Sequence, residues 1–443
     1  MSLSPSDVSI VTINWNGREH LAALLPTLLP LGAGEILVVD NASVDGSREF
    51  LSGSFPQVRV IENPVNRGFA EPSNRGAAEA KGRLVAFINN DMRADGGWLR
   101  KALPHLEARS PCVASRILDW SGQRIDFNGS SLQYLGYAVQ LDIGELVSQV
   151  SHEDRILFPC GGAMLIERSV FLEVGGFDPD YFAVFEDVDL GWRLWLAGFE
   201  VAFAPESVVF HRGHATLERH ANEKMRYLLH RNALLTILKN YEEENFRRVF
   251  PVAIISAIKR AVALSGVSRE MFHMWGRTVS RLEAGDRAAH IQILDALNHL
   301  VGVDDIMENL PSWLEKRRQV QSMRRRRDSE ILGLFKDPLR CIVDDPNYVA
   351  QEIRYLESLG LDSLFAVSSY KKNASGLPHY LEDRIADLRQ ELRGLQWLEV
   401  YGLSHPPSLP PVGKRWRRLL RVIRTEGARG IWTRAVRRLK HAL

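Results

Sequence analysis

A chain of 443 residues is too long for one typical domain, and two or three are expected. Its 45% hydrophobic and 25% charged residues are those of an ordinary globular protein, and a net charge of +2 singles out no partner, although the basic excess gathers towards the C-terminus. The three cysteines, Cys112, Cys160 and Cys341, are far apart and odd in number, which argues against a disulfide framework or a cysteine-rich zinc site and suits a reducing compartment.

The opening segment, MSLSPSDVSIVTINW, has no basic region and no long apolar core, so no signal peptide is read there. VSIVTI (Val8–Ile13) reads as a buried strand, and Gly17 opens a helical pattern through Leu21, Leu24, Leu25 and Leu28. EILVVD (Glu35–Asp40) is a second strand, with Asp45 as N-cap of a short helix through Phe50 and Leu51. VRVIE (Val58–Glu62) is a third, followed by an alanine-rich helix over Ala70–Lys81. LVAFINND (Leu84–Asp91) is a fourth, with a helix near Trp98–Ala108. This alternation predicts an α/β fold with a mostly parallel, doubly wound sheet and helices on both faces.

Ligands of such sheets bind at the carboxyl ends of the strands. Thr12, Asn14 and Asn16 end the first strand, and Asp40, Asn41 and Ser43 the second. Asn63, Asn66 and Arg67 follow the third, and Asn89, Asn90 and Asp91 end the fourth. Asn and Asp favour loops for local reasons, so one such cluster is weak, but four at one edge are harder to dismiss. After the first strand the chain reads NWNGRE, which supplies neither G-x-G-x-x-G nor a P-loop and argues against dinucleotide oxidoreductases and P-loop NTPases.

A second stretch, Gly175 to His211, sets Asp178, Asp180, Glu186, Asp187 and Asp189 among Phe177, Tyr181, Phe182, Phe185, Trp192 and Trp195. Carboxylates are costly beside apolar rings unless a tuned base or ligand is needed. The alternative is an amphipathic helix with a solvated acidic first turn.

Together, VSIVTINWNG, ILVVDNASVDGS, NRGFAEPSNRG, FINND, GGFDPDYFAVFEDVDLGWRL and VVFH resemble the family 2 glycosyltransferases of GT-A fold, most of all the rhamnosyltransferase-like subgroup. The resemblance spans about residues 7–240. It implies an inverting transferase that moves rhamnose or another hexose from a dTDP- or UDP-sugar to a hydroxyl of a glycan or lipid-linked glycan during surface polysaccharide assembly. Asp40 would accept the imino proton of the base, with Thr12, Asn14, Asn41, Asn89 and Asn90 around the nucleotide sugar. Arg67 would reach the diphosphate, with Gly68 allowing close approach. Asp91 resembles the last acid of the family's D-x-D element, and Asn89 and Asn90 stand where acids often stand. Asp91 and His211 would hold Mn²⁺ or Mg²⁺. His214 makes H-x-x-H, but without cysteines nearby zinc is disfavoured. The Glu186–Asp187 pair resembles the family's catalytic pair, with Asp187 as base. Gly161, Gly162 and Trp192 fall on the acceptor side. Asp189 and Arg193, four apart, are expected to pair.

Beyond His211 the pattern is helical, with Leu228, Leu229, Leu234, Leu235 and Leu238 on recurring faces. Resembling family members carry an Arg-Asn step like His230-Arg231-Asn232, read here as packing. PVAIISAIKRAVAL from Pro251 is interrupted by Lys259 and Arg260 and does not read as a membrane span. Arg324 to Arg327 read as a solvated basic helix face, or as a patch for headgroups or phosphate. Leu381–Val400 reads as an amphipathic helix suited to docking or to self-association into a homo-oligomer. SHPPSLPPVGK reads as a linker, and residues 412–443, with Trp416, Leu419, Leu420, Ile423, Ile431, Trp432 and Val436 among arginines, as an interfacial helix on anionic lipid rather than a nucleic-acid binder. The expected divisions are 1–215, 216–335, 336–403 and 404–443, and the expected place is the cytoplasmic face of the membrane. The rival readings are an inactive transferase-like scaffold, supported by Asn90 and the long C-terminal helices, and a nucleotidyltransferase, which NWNGRE does not favour.

Overall fold

The computed structural model describes residues 3–212, 223–265 and 287–336, then 338–339, 352, 354–356 and 358–365. His214, Cys341, the helix expected at 381–400, the proline-rich linker and the basic tail lie outside the described residues. Met1–Leu339 form one compact unit and Arg340–Leu443 a second.

The first unit opens β1 (Val8–Asn14), α1 (Arg18–Leu28), β2 (Glu35–Asn41), α2 (Ser47–Ser54), β3 (Arg59–Asn63), α3 (Ala70–Glu79), β4 (Leu84–Ile88), β5 (Met92–Ala94) and α4 (Trp98–Ala102). β6 (Cys112–Asp119), β7 (Ile125–Phe127), β8 (Ser130–Leu132), β9 (Ala138–Gln140), β10 (Arg155–Ile156) and β11 (Ala163–Glu167) follow. Then come α5 (Arg168–Glu173), α6 (Glu186–Leu196) and β12 (Val201–His211). The sheet order is β10-β12-β6-β11-β4-β1-β2-β3, with β5 also on β12 and β7 on β6. β1, β2, β3 and β4 pair in parallel, as their β-branched runs predict. The strand expected to reach Asp91 ends at Ile88. Consecutive residues of β1, β2 and β4 are buried, so both faces of this half are covered.

β11 reverses the direction, antiparallel to both β4 and β6, so the sheet is mixed. Ala163, its first residue, pairs with Ile88, the last of β4, which sets Gly161 and Gly162 at the polar edge. β6 and β12 run parallel to each other and end at that edge as well. β12 bulges between Ala204 and Val208, around Pro205, whose nitrogen has no hydrogen for the ladder. Beyond the bulge β12 also pairs with β5, His211 opposite Met92.

The remaining helices are α7 (Glu223–Asn240), α8 (Glu243–Ser265), α9 (Arg287–Glu308), α10 (Leu310–Ser322) and α11 (Asp328–Ile331). α7 packs on α6 and on α8, α9 and α10. Arg324–Arg327 is not a helix face, although Arg325 and Arg327 are exposed. It is a connector between α10 and α11, with Arg324 on Asp328 (3.0 Å) and Arg326 on the carbonyl of Gly198 (2.9 Å) and over the Trp195 ring. Just past the glycine turn that closes α6, the carbonyls of Gly198 and Phe199 both accept from the Arg326 guanidinium. The second unit contains α12 (Leu361–Leu364). No described helix is long and apolar enough to cross a membrane.

Candidate active site

At the parallel edge, Asn14 of β1 faces Asp40 of β2 in register, and Asn41 faces Asn63 of β3. Asn14 Nδ2 donates to Asp40 Oδ1 (3.1 Å) and Ser43 Oγ (3.1 Å), and its Oδ1 accepts from Asn90 Nδ2 (3.0 Å). Asp40 Oδ2 accepts from the Ser43 amide (3.0 Å), with Arg48 Nε at 3.9 Å. Asp40 is 1% exposed. It forms the floor of this edge, locked by Asn14 and Ser43.

Asn41 has a different task from direct ligand contact. Its Oδ1 accepts from Asn63 Nδ2 and the Arg67 amide, and its Nδ2 donates to Asn66 Oδ1 and the Gly68 carbonyl. All four of its hydrogen-bonding positions are therefore used to shape the 63–68 loop. Thr12 is buried within β1 and lines no open space. Arg67 is exposed. Gly68 has φ +80°, and a Cβ there would collide with the carbonyl oxygen of Phe182. The close approach it permits is thus to the chain before α6. Trp15, 50% exposed beside Asn14, is an aromatic face at the edge that the sequence reading passed over.

Asp91 and His211 meet directly, Oδ2 to Nε2 at 3.3 Å. His211 Nδ1 donates to Asp126 Oδ2 (2.5 Å), from the three-residue strand β7. Burial works against charge on His211, but hydrogen bonds and charges from Asp126 and Asp91 outweigh it and push its pKa up to about 10. Burial likewise opposes ionisation of Asp91, and His211 overcomes it, holding that carboxyl below its usual range. Asp126 was not foreseen, because a lone acid in a short IDF run carries no sequence signal. Among the described residues no three His, Cys, Asp or Glu side chains form a closed metal cage. One carboxylate and one imidazole, with Asp126 able to fix the imidazole through its other nitrogen, still fit a divalent ion that takes its remaining ligands from a bound diphosphate.

Glu186 and Asp187 open α6. Asp187 Oδ2 accepts from the Gly161 amide and Oδ1 from the Val188 amide, both at 2.8 Å. The Gly162 carbonyl in turn accepts from the Asn89 amide (3.1 Å), two residues before Asp91. One glycine loop therefore joins the acid of α6 to the end of β4. Burial raises both carboxyls of the pair. Glu186 is pushed further because Asp187 adds repulsion, while Asp187 has its two amides for relief. Glu186 is 6% exposed, and its Oε2 has no hydrogen-bond partner among the described residues. The pair is thus unequal: ionisation is opposed more strongly at Glu186 than at the half-buried, amide-bonded Asp187. The first turn is not a solvated acidic face.

Residues 9–175 match the family described as glycosyl transferase family 2. The N-terminal part of the chain is a family 2 glycosyltransferase domain. Over 211 residues the chain is 29% identical to a pre-mycofactocin glycosyltransferase of Mycobacterium tuberculosis, covering 47% of this chain and 43% of that protein. Over 248 residues it is 25% identical to the N-acetylglucosaminyl-diphospho-decaprenol L-rhamnosyltransferase of the same organism, covering 47% of this chain and 76% of that one. The match thus spans less than half the length of the first of these relatives. A crystal structure of GalNAc-T7 with UDP, GalNAc and Mn²⁺ superposes with a TM-score of 0.44 at 16% identity, covering 69% of this chain and 57% of that one.

Trp192, expected on the acceptor side, has no exposed surface in this structure. It is wholly buried on α6, with its ring edge-on to Tyr241 and Phe335. Residue 192 lies near the middle of an eleven-residue helix whose other faces are also covered, so its ring has only core to fill. Asp189 and Arg193 do pair, at 2.8 Å and buried.

Proposed function

We propose that this chain is an inverting glycosyltransferase that moves a hexose, rhamnose first among candidates, from a dTDP- or UDP-sugar to a hydroxyl of a glycan or lipid-linked glycan acceptor. The observation that carries this is Asp187, a half-buried carboxyl whose two oxygens each accept a backbone amide, one of which belongs to the loop that also fixes Asn89. In this reading Asp187 takes the acceptor's proton as its oxygen attacks the anomeric carbon from the face opposite the nucleotide. Glu186, whose ionisation is opposed by burial and by Asp187, adds little negative charge beside that base. Arg67 at the exposed rim takes diphosphate charge, and Trp15 offers a face for the base. Asp91 and His211 would hold Mn²⁺ or Mg²⁺, which supplies charge stabilisation for the departing diphosphate. The relative whose name specifies a decaprenol-linked diphosphate substrate supports a lipid-linked acceptor. That in turn supports a peripheral place on the cytoplasmic membrane face and a lipid-binding role for the tail.

Thermal-shift titration with dTDP- and UDP-sugars, with Mn²⁺ and with EDTA, tests the donor half. A stabilising shift of several degrees with Mn²⁺ that EDTA removes is expected. No shift with any sugar nucleotide would overturn the reading.

The role given to Asp126 yields a separate expectation. Asp126→Ala should weaken Mn²⁺ binding about 10- to 100-fold, because His211 loses the acceptor that orients its ring. Calorimetric titration of Mn²⁺ in the presence of UDP measures this directly. Unchanged affinity would make Asp126 a packing residue only.

A further inference from the structure

The chain between Tyr181 and Phe185 is the most contorted stretch of the described backbone, and it delivers the Glu186–Asp187 pair. Phe182 has φ 62° and ψ −62°, and the Ala183 amide donates to the Tyr181 carbonyl at 2.7 Å. That is a γ-turn of the strained, positive-φ type. Val184 and Phe185 follow with φ 70° and 69°. A β-branched residue rarely adopts such a conformation, and each such residue costs on the order of 1–3 kcal/mol. Something outside the loop must hold it.

The holder is Asn232 of α7. Its side chain is wholly buried, and the two hydrogens of its Nδ2 are shared among the carbonyls of Tyr181 (3.1 Å), Ala183 (3.0 Å) and Val184 (2.6 Å). Carbonyls only accept, so the nitrogen must face them. The other end is fixed too, since Oδ1 accepts from Arg231 Nε (3.0 Å) and Nη2 (2.9 Å). Arg231 Nη2 also reaches the Asp180 carbonyl at 2.5 Å. One helical turn on, Thr236 bonds the Tyr181 hydroxyl at 3.0 Å. The clamped loop has a second contact. The Phe182 carbonyl accepts from the amides of Phe69 (2.6 Å) and Ala70 (3.2 Å), directly after Arg67-Gly68. The contortion therefore ties the start of α6 to the donor-side loop.

We propose that Asn232 is a positioning residue, which holds the 181–185 loop in its strained form and thereby sets Asp187 against the donor-side loop at Arg67–Gly68. The packing role read from sequence is replaced by a polar clamp. The proposal rests on the reading of Asp187 as the base.

Three proteins test it: wild type, Asn232→Ala and Asn232→Ala/Val184→Gly. Two readouts are needed. Amide hydrogen exchange at Phe69 and Ala70 follows the clamp whatever the reaction is. Release of nucleoside diphosphate from dTDP-rhamnose and UDP-glucose follows the chemistry. In Asn232→Ala, exchange at Phe69 and Ala70 should quicken while the β1–β4 amides keep wild-type rates. The kcat should fall about 10²-fold, the cost of misplacing a reacting group by about 1 Å, with the donor KM within a few-fold. Glycine at 184 adopts positive φ without strain, so the double variant should recover much of both losses. Arg231→Lys, which loosens the grip on Asn232 Oδ1, should give the same pattern more mildly if Asn232→Ala does not fold.

Unchanged exchange at Phe69 and Ala70 overturns the proposal. Uniformly faster exchange throughout the sheet does so too, as does a double variant that recovers nothing. A wild type inactive on every donor overturns the proposed function instead, while the exchange data still decide the clamp.

Discussion

Asp187→Asn is expected to leave dTDP or UDP binding intact and to lower sugar transfer by about 10²–10⁴-fold, the usual worth of a general base. The amide is nearly isosteric, so α6 keeps its start, but it has no basic oxygen to receive the acceptor's proton. It also meets a mismatch. Both carboxylate oxygens accept backbone amides, from Gly161 and Val188, and an asparagine oxygen satisfies only one of them. The pH profile carries a second signature. Burial raises Asp187 above its ordinary value, so the wild-type rate should climb with pH through a range higher than that of an exposed aspartate. The residual rate of the asparagine variant should be flat there. A variant within tenfold of wild type would remove Asp187 from the role and turn attention to Glu186. Steady-state kinetics with calorimetry on the same preparations separate loss of chemistry from loss of binding.

The parallel half of the sheet was legible because VSIVTI, EILVVD and LVAFI are short runs buried on both faces, with polar residues at their carboxyl ends. The site's edge followed from that. The individual tasks did not. Asn14 and Asn41 have the chemistry of ligand contacts, yet their partners lie one strand away, at Asp40 and Asn63, and register is not written in spacing alone. β6 was missed because CVASRILD carries Ser115 and Arg116 in mid-run. β11 was missed because AMLIE is short and follows glycines that read as a turn. Without β11 the reversal of direction could not be foreseen, and that reversal is what brings Gly161 beneath Asp187. α7 did carry a signal. Asn232, Thr236 and Asn240 repeat every four residues between buried Leu234, Leu235 and Leu238, which marks a polar row facing another element rather than solvent.

The largest loss of stability is expected from Lys239→Met. Lys239, beside the last residue of that row, is 2% exposed, with its ammonium 2.8 Å from both Asp178 and Asp189. Asp189 is also held by Arg193 and Asn240, and Asp178 by Lys316 at 2.5 Å. Removing one partner of a buried ion pair costs about 3–5 kcal/mol, chiefly through the charge left behind. The lower end applies here, because each acid keeps a second partner. Methionine fills the lysine's volume, so little of the loss would come from a cavity. The sign of the pH dependence follows from Asp178. Burial opposes its ionisation, but Lys239 and then Lys316 override this and hold the carboxyl far below its ordinary range. Its contribution is present above the unfolded-state value of 3.8 and is lost as pH falls through the depressed native one. Lys239→Met should therefore lower the melting temperature at pH 7 and flatten its decline on acidification. Equal stability at neutral pH would mean that Arg193 and Lys316 suffice. The experiment also bears on the clamp, since Lys239 anchors the C-terminal end of the helix that carries Asn232. If the anchor and the clamp act together, Lys239→Met and Asn232→Ala will be non-additive in their effect on exchange at Phe69 and Ala70.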